Sequence, residues 1–499
     1  MKKLAIITTI VLGLATTSCD SYLDINQNPN SPQEANMTPS IMMPAAEMNF
    51  AAAYGNLLRI PAGYFTQHYA QTPGTSNYVD YSAFQMTAVR SSTAYIQLNS
   101  RALKNLQTIR ELSEKSEEWG TYLAATTLRV FIYQTLVDAY GEIPYSEALD
   151  ISHPSPKYDD GQEVYAGILA ELDDALSKAN ASDVVATNFL FPGKTAASWI
   201  QFANALKLRI LTRESGVENV DTQIGALISE NNFPTADVAY VGCWKNESGA
   251  MNPFYAEEIS TAWGSTQINV CANIALVGTM QTDTYTDPRL AAFFAPNNEG
   301  KYQGGISGTN LTSSFSVASF NRPTESWDSP VYLITVAETE FFIAEYYAKA
   351  NNAAQAQAHY EAAIKASFAS FGLDGADANI AQYPYDQANY KKSIGLAKWL
   401  ALAGMNNYES WCELRRLDYP TFGTVTGDQI FTGTTINSGL YQPGTLYTPV
   451  QVYNEVGNNK LLERWPYADE STAANSNAPR DADGNVTFPG YTTPVFWGK

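Results

Sequence analysis

Apolar positions along the chain fall into blocks of helical period, set apart by long polar stretches rich in Gly, Pro, Asn and Thr. The segment 121–140 (TYLAATTLRVFIYQTLVDAY) is apolar nearly all round, which predicts a helix packed on several sides. Gly141 and then Pro144 punctuate its end. Asp160-Gly-Gln-Glu163 reads as a capping box, followed by Val164, Ile168, Leu172, Ala175 and Leu176 in one apolar stripe. In 195–213, Trp199, Phe202, Leu206 and Ile210 face one way, and Arg209 and Arg213 fall in the last turns, where cations suit the helix dipole. Further helices are predicted over 336–350, 353–371 and 391–417, the last ending before Pro420. Short helices thus come in adjacent pairs. The intervening stretches 231–329, 372–390 and 419–499 are longer than ordinary connections, and loops of that length usually carry function.

The first residues follow a different pattern. Met1-Lys2-Lys3 precedes an apolar run over 4–15 and then Thr16-Thr17-Ser18-Cys19, the three parts of a secretory signal over 1–18. The run is shorter than the roughly 20 residues a bilayer requires. Small residues directly before Cys19 make its thiol a candidate lipidation site, although Thr16 stands where such boxes usually have Leu. Several acyl chains on one residue give stable anchoring. Residues 19–40 then read as a tether rich in Asn, Pro and Ser, and 41–499 as one domain.

Composition narrows the function classes. A formal net charge of −20, from 30 basic and 50 acidic residues, argues against a nucleic-acid partner, since phosphate binding needs clustered cations. Aromatics reach 12 %, with 31 Tyr and 9 Trp, rings that combine an apolar body with a polar handle. His68, His153 and His359 are widely spaced and read as surface or capping residues, so neither a metal centre nor a Ser-His-Asp triad is expected, nor a cofactor. Of the other cysteines, Cys243 and Cys271 lie in loop-like sequence and are the better disulfide pair, while Cys412 reads as a buried helical residue.

A set of short motifs, in order along the chain, resembles the SusD/RagB family of outer-membrane nutrient-binding lipoproteins. They include Cys19-Asp-Ser-Tyr-Leu-Asp24 with Asn28-Pro29-Asn30, Asp138-Ala-Tyr-Gly-Glu-Ile-Pro-Tyr145, and Leu206-Lys-Leu-Arg209. Asp287-Pro-Arg-Leu290, Glu338 to Glu345 (ETEFFIAE), Trp411-Cys-Glu-Leu-Arg-Arg416 and Arg464-Trp-Pro-Tyr467 continue the series. The resemblance implies a mostly α-helical fold with about four tetratricopeptide-like helix pairs, and long loop and short-strand inserts forming the ligand face. It implies a lipid-anchored protein on the extracellular face of the outer membrane, partnered with a SusC-like TonB-dependent transporter. The ligand it implies is an oligosaccharide, or an oligopeptide as in the RagB branch. The motifs themselves read as structural, with Arg415 and Arg416 pairing with helix carbonyls or acids.

Ligand contacts are expected from loop aromatics and amides, because sugar rings stack on flat aromatics while their hydroxyls need polar partners. Loop position selects Asn77, Tyr78, Tyr81, Trp263, Tyr302, Asn321, Arg322 and Trp327. An enzyme is not expected, with an extracellular glycan hydrolase as the alternative. Glu338 and Glu345, seven apart on one predicted helix, lie about 10.5 Å apart along its axis and read as ion-pairing groups rather than a glycosidase dyad. Asp481-Ala-Asp483-Gly-Asn485 resembles the start of a calcium loop, but Thr492 stands where the bidentate Glu belongs, and a hairpin turn is the simpler reading.

Overall fold

A computed structural model of the protein describes residues 37–260, 268–320 and 325–498. The chain enters through α1 (Pro39–Ala52), one π-helical turn, and α2 (Arg59–Phe65). α3 (Ala88–Ile96) and α4 (Lys104–Lys115) follow, again joined by a π-helical segment. Next come α5 (Trp119–Tyr140), α6 (Gly161–Lys178), α7 (Ala196–Glu214) and α8 (Asp221–Glu230). The middle insert carries α9 (Ile274–Met280), and the helical scaffold resumes with α10 (Val336–Lys349), α11 (Ala353–Ala369), α12 (Tyr390–Leu402) and α13 (Asn407–Leu417).

The scaffold is mostly α, built from helix pairs: α4 packs on α5, α6 on α7, α10 on α11 and α12 on α13. α5 lies at its centre, with every residue from Gly120 to Tyr140 buried, as its all-round apolar sequence predicts. Gly141 ends it at φ 83°, a conformation that disfavours a Cβ. On α7, Trp199, Phe202, Leu206 and Ile210 are fully buried, each worth roughly 1.5–3 kcal/mol of transfer free energy. Asp160 does cap α6, but its carboxylate accepts only from the Gln162 N–H, at 2.9 Å, so the cap is simpler than the box expected.

Three expectations need correction. Arg209 and Arg213 are not solvent-facing partners of the helix dipole; both are buried, Arg209 donating to Glu338 at 2.6 Å and Arg213 pairing with Asp138 at 2.5 Å and with Glu409. The predicted helix over 391–417 is two helices, parted at Gly404, where φ is 72° and a Cβ would meet the Phe293 ring at 2.5 Å. Cys243 and Cys271 are free thiols: Cys271 is buried on a strand, its Sγ donating to the Ala70 carbonyl at 3.4 Å. Cys412 is buried in α13, as its helical setting suggests.

The described strands are short and pair the middle insert with the segments that flank it. β1 (Tyr69–Gln71), β3 (Val270–Ala272), β5 (Ser319–Phe320) and β4 (Phe294–Ala295) form one antiparallel sheet in the order β1-β3-β5-β4. β2 (Val238–Tyr240) pairs with β6 (Val331–Ile334). The 231–329 stretch is therefore no structureless loop; it is tied into the scaffold by strands that local propensity does not reveal. At the C-terminus, Arg480 and Val486 bridge in a hairpin whose turn Asp481 closes, accepting from the Asp483 and Asn485 N–H groups at 3.0 and 2.8 Å. This is the hairpin that the sequence suggested. No helix of the described residues is long and apolar enough to cross a membrane.

Candidate functional site

The sheet delivers α9 to the edge of a cleft of about 600 Å³. Asn273, directly after β3, organises the approach. Its Oδ1 caps α9 by accepting from the Ala275 N–H at 3.0 Å and also accepts from the Tyr447 hydroxyl at 3.0 Å. Its amide donates to the Tyr69 carbonyl and to Ser307, at 3.1 and 2.8 Å. One buried side chain thus joins the sheet, the helix and the C-terminal segment, and all its polar atoms are used.

Two glycines let three segments meet around the cleft. A Cβ on Gly304 would lie 2.3 Å from Ile274 Cα, so only glycine lets the strand-like 302–305 segment press on the start of α9. On Gly278, a Cβ would lie 2.4 Å from the Tyr441 ring, which packs directly on the helix backbone. Tyr441 is buried, and its hydroxyl donates to the Thr445 carbonyl at 2.6 Å, fixing the 438–443 segment as the third wall. Ser438 donates across to Gln303 Oε1 at 3.0 Å.

The lining combines apolar surface with a few polar groups. Ile274 and Val277 give the apolar floor; Gln281, Thr282, Asp283, Tyr302 and Ser438 give the polar edge. Tyr302 is half-buried, and burial raises its phenol above the ordinary value, so the ring is neutral at pH 7. Its hydroxyl, the Gln281 amide and the Asp283 carboxylate have no hydrogen-bond partner among the described residues. An aromatic ring beside unengaged donors and acceptors suits a polar ligand with an apolar face, and not a purely apolar one.

Of the residues selected from the sequence that are described, Tyr302 alone lines this cleft. Tyr78 and Tyr81 form a second group: their rings stack at 5.5 Å and 12°, each only 6 % exposed. The Tyr78 hydroxyl donates to Glu258 at 2.6 Å, and Arg90 lies over the Tyr81 ring while pairing with Asp80 at 2.9 Å. Asn77 is exposed beside them, its carbonyl accepting from Arg90 at 2.7 Å. Trp327 is half-buried elsewhere, its carbonyl accepting from the Asn252 N–H at 2.8 Å. Trp263, Asn321, Arg322 and the lipidation candidate Cys19 lie outside the described residues. Gln281, Asp283 and Ser438 escaped the sequence reading because nothing local marks which loops converge.

The two glutamates weighed as a dyad are structural. Arg416 grips both oxygens of Glu345, at 2.8 and 2.5 Å, and Glu338 is held by Arg209. Arg415 donates to the carbonyls of Trp411, Asp138 and Glu463, as the motif reading expects of this pair.

Comparison with known proteins agrees with this architecture. A family model for SusD-like proteins, described as starch-binding and associating with the outer membrane, matches residues 29–438. Among solved structures, a SusD homolog from Bacteroides uniformis is 21 % identical, with a TM-score of 0.70, over 91 % of this chain and 98 % of that one. A chitin-binding SusD homolog from Flavobacterium johnsoniae is 20 % identical, with a TM-score of 0.70, over 91 % and 98 % of the two chains. A SusD homolog from Bacteroides fragilis is 18 % identical, with a TM-score of 0.68, over 93 % and 99 %. None of the curated proteins matches the chain.

Proposed function

The chain belongs to the SusD-like family, and from that premise we propose that it is a cell-surface lipoprotein that binds oligosaccharide and passes it to a TonB-dependent outer-membrane transporter. The observation that carries the ligand class is the Tyr302 cleft. It offers the half-buried Tyr302 ring, an amide, a carboxylate and hydroxyls around a volume of about 600 Å³, room for a few sugar rings. The relative that binds chitin supports the same class.

Binding without turnover is the reading favoured over hydrolysis. Glycoside hydrolysis commonly uses two carboxyl groups flanking the scissile bond. Among the described residues the cleft lining carries one, Asp283, and the paired glutamates of α10 are locked in buried ion pairs.

Isothermal titration of the pure protein against panels of oligosaccharides and oligopeptides tests this. At least one oligosaccharide binds, and Tyr302→Ala weakens it about tenfold or more, close to 1.4 kcal/mol, while Tyr302→Phe keeps the ring and most of the affinity. Silence toward every glycan with clear peptide binding would overturn the proposal, as would turnover of a panel glycan.

A further inference from the structure

We infer that the Tyr302 cleft prefers glycans bearing a free amine, and that Asp283 is the group that sets this preference. The inference rests on the cleft being the glycan site. Among the described residues its lining contains one charged group, Asp283, and no Lys, Arg or His.

Asp283 occupies a two-residue turn. Gln281 and Thr286 bridge across it, and the Thr282 N–H donates to the Tyr285 carbonyl at 2.8 Å. Acids in such positions usually bond to their own turn. Asp150, Asp386 and Asp481 do so here, accepting from the Ser152, Ala388 and Asp483 N–H groups at 2.9, 2.9 and 3.0 Å. The Asp283 carboxylate makes no such bond, and no ion pair, with any described residue. The turn closes without it. The cations nearest in sequence are already engaged: Arg289 with Asp287 at 2.6 Å, and Lys301 with Glu299 at 3.0 Å.

An exposed carboxylate with no cation beside it among the described residues is a half-made ion pair at the rim of a cleft. The ammonium of a 2-amino sugar would complete it with a charge-assisted hydrogen bond, while the Gln281 amide and the Tyr302 hydroxyl remain for neighbouring sugar hydroxyls. A uronate or sulfate would meet uncompensated negative charge, on a chain whose net charge is already −20. Neutral sugars are indifferent to the carboxylate's charge. The expected order is therefore free amine, then neutral or N-acetylated, then uronate.

The test is titration of the full chain at pH 6 with equal-length oligomers of glucosamine, N-acetylglucosamine, glucose and galacturonate. The glucosamine oligomer is expected to bind about fivefold or more tighter than its N-acetylated form, and Asp283→Asn to bring that ratio to within about twofold of one. The ratio is the readout, so a general loss of affinity cannot mimic the effect. Should Asp283→Asn bind nothing, the unaltered chain still decides: raising salt from about 0.05 to 0.5 M must shrink the glucosamine preference and leave the neutral oligomers unmoved. Glycan binding with no amine preference, or a preference that survives in Asp283→Asn or in high salt, overturns the inference and leaves the proposed function standing. Silence toward every glycan of the wider panel as well, with peptides bound instead, overturns both.

Discussion

Burial removes water from His68 entirely; the ring lies 4.7 Å from that of Trp399, and its Nδ1 accepts from the Asn407 amide at 2.8 Å. With Nδ1 an acceptor, Nε2 carries the proton and has no partner. Desolvation disfavours the imidazolium and lowers the pKa from 6.5 to about 3. The unfolded chain therefore binds a proton between those values that the folded one does not, so this residue's contribution is intact above pH 6.5 and is lost as pH falls toward 3. Compared with the unaltered protein, His68→Phe is expected to flatten the dependence of urea stability on pH between 6.5 and 5 by up to about 1.4 kcal/mol per unit. Equal slopes in the two proteins would show that His68 is protonated in the fold. Sequence alone read all three histidines as surface or capping residues. That description fits His153, exposed beside Asp150, and less well His359, which pairs with Glu340 at 2.6 Å and stacks on Tyr347. His68 defeats it because burial here depends on packing against α12 and α13, more than 300 residues away.

At the level of elements, α7, α10, α12 and α13 are joined by buried ion pairs as well as by apolar surface. Arg209 and Arg213 from α7 reach Glu338 and Glu409; Lys398 from α12 and Arg416 reach Glu413; Arg416 also reaches Glu345. Arg416, with Lys349, holds the buried Glu345 carboxyl down at about 2 in spite of its desolvation. Arg416→Met would leave Glu345 without its bidentate partner, and removing one side of a buried pair costs about 3–5 kcal/mol. Urea titration should show that loss at pH 7 and less of it below pH 4.5, where Glu345 in the unfolded chain takes up a proton and the pair's contribution falls. Helix existence was legible wherever a long apolar face was needed, as in 121–140 and 353–371. Charge in the last turns of α7 was legible too, but its cause was not, because a buried ion pair and a dipole partner leave the same residue in the same place. The break at Gly404 was missed because the pattern continues across it. α1 to α4 received no assignment: Pro44 and two π-helical segments blur the 3.6-residue period.

Across the whole molecule, the cleft draws on residues far apart in sequence: Gln281 and Asp283, Tyr302, and Ser438. Only Tyr302 was foreseen, since loop position suggests which segments face a ligand and contact order decides which of them meet. Attachment to the membrane is also a property of the molecule as a whole. No described helix is long and apolar enough to span a bilayer, and a net charge of −20 opposes adsorption to anionic headgroups. On the proposed reading, retention then depends on the acyl chains of Cys19, and each buried methylene contributes about 0.8 kcal/mol. Produced in cells without a partner transporter, Cys19→Ala should therefore move from the membrane fraction to the soluble one, with its glycan affinity unaltered. Membrane retention of that variant would mean that another part of the chain holds the protein to the membrane, and the lipid reading would fall while the binding reading stood.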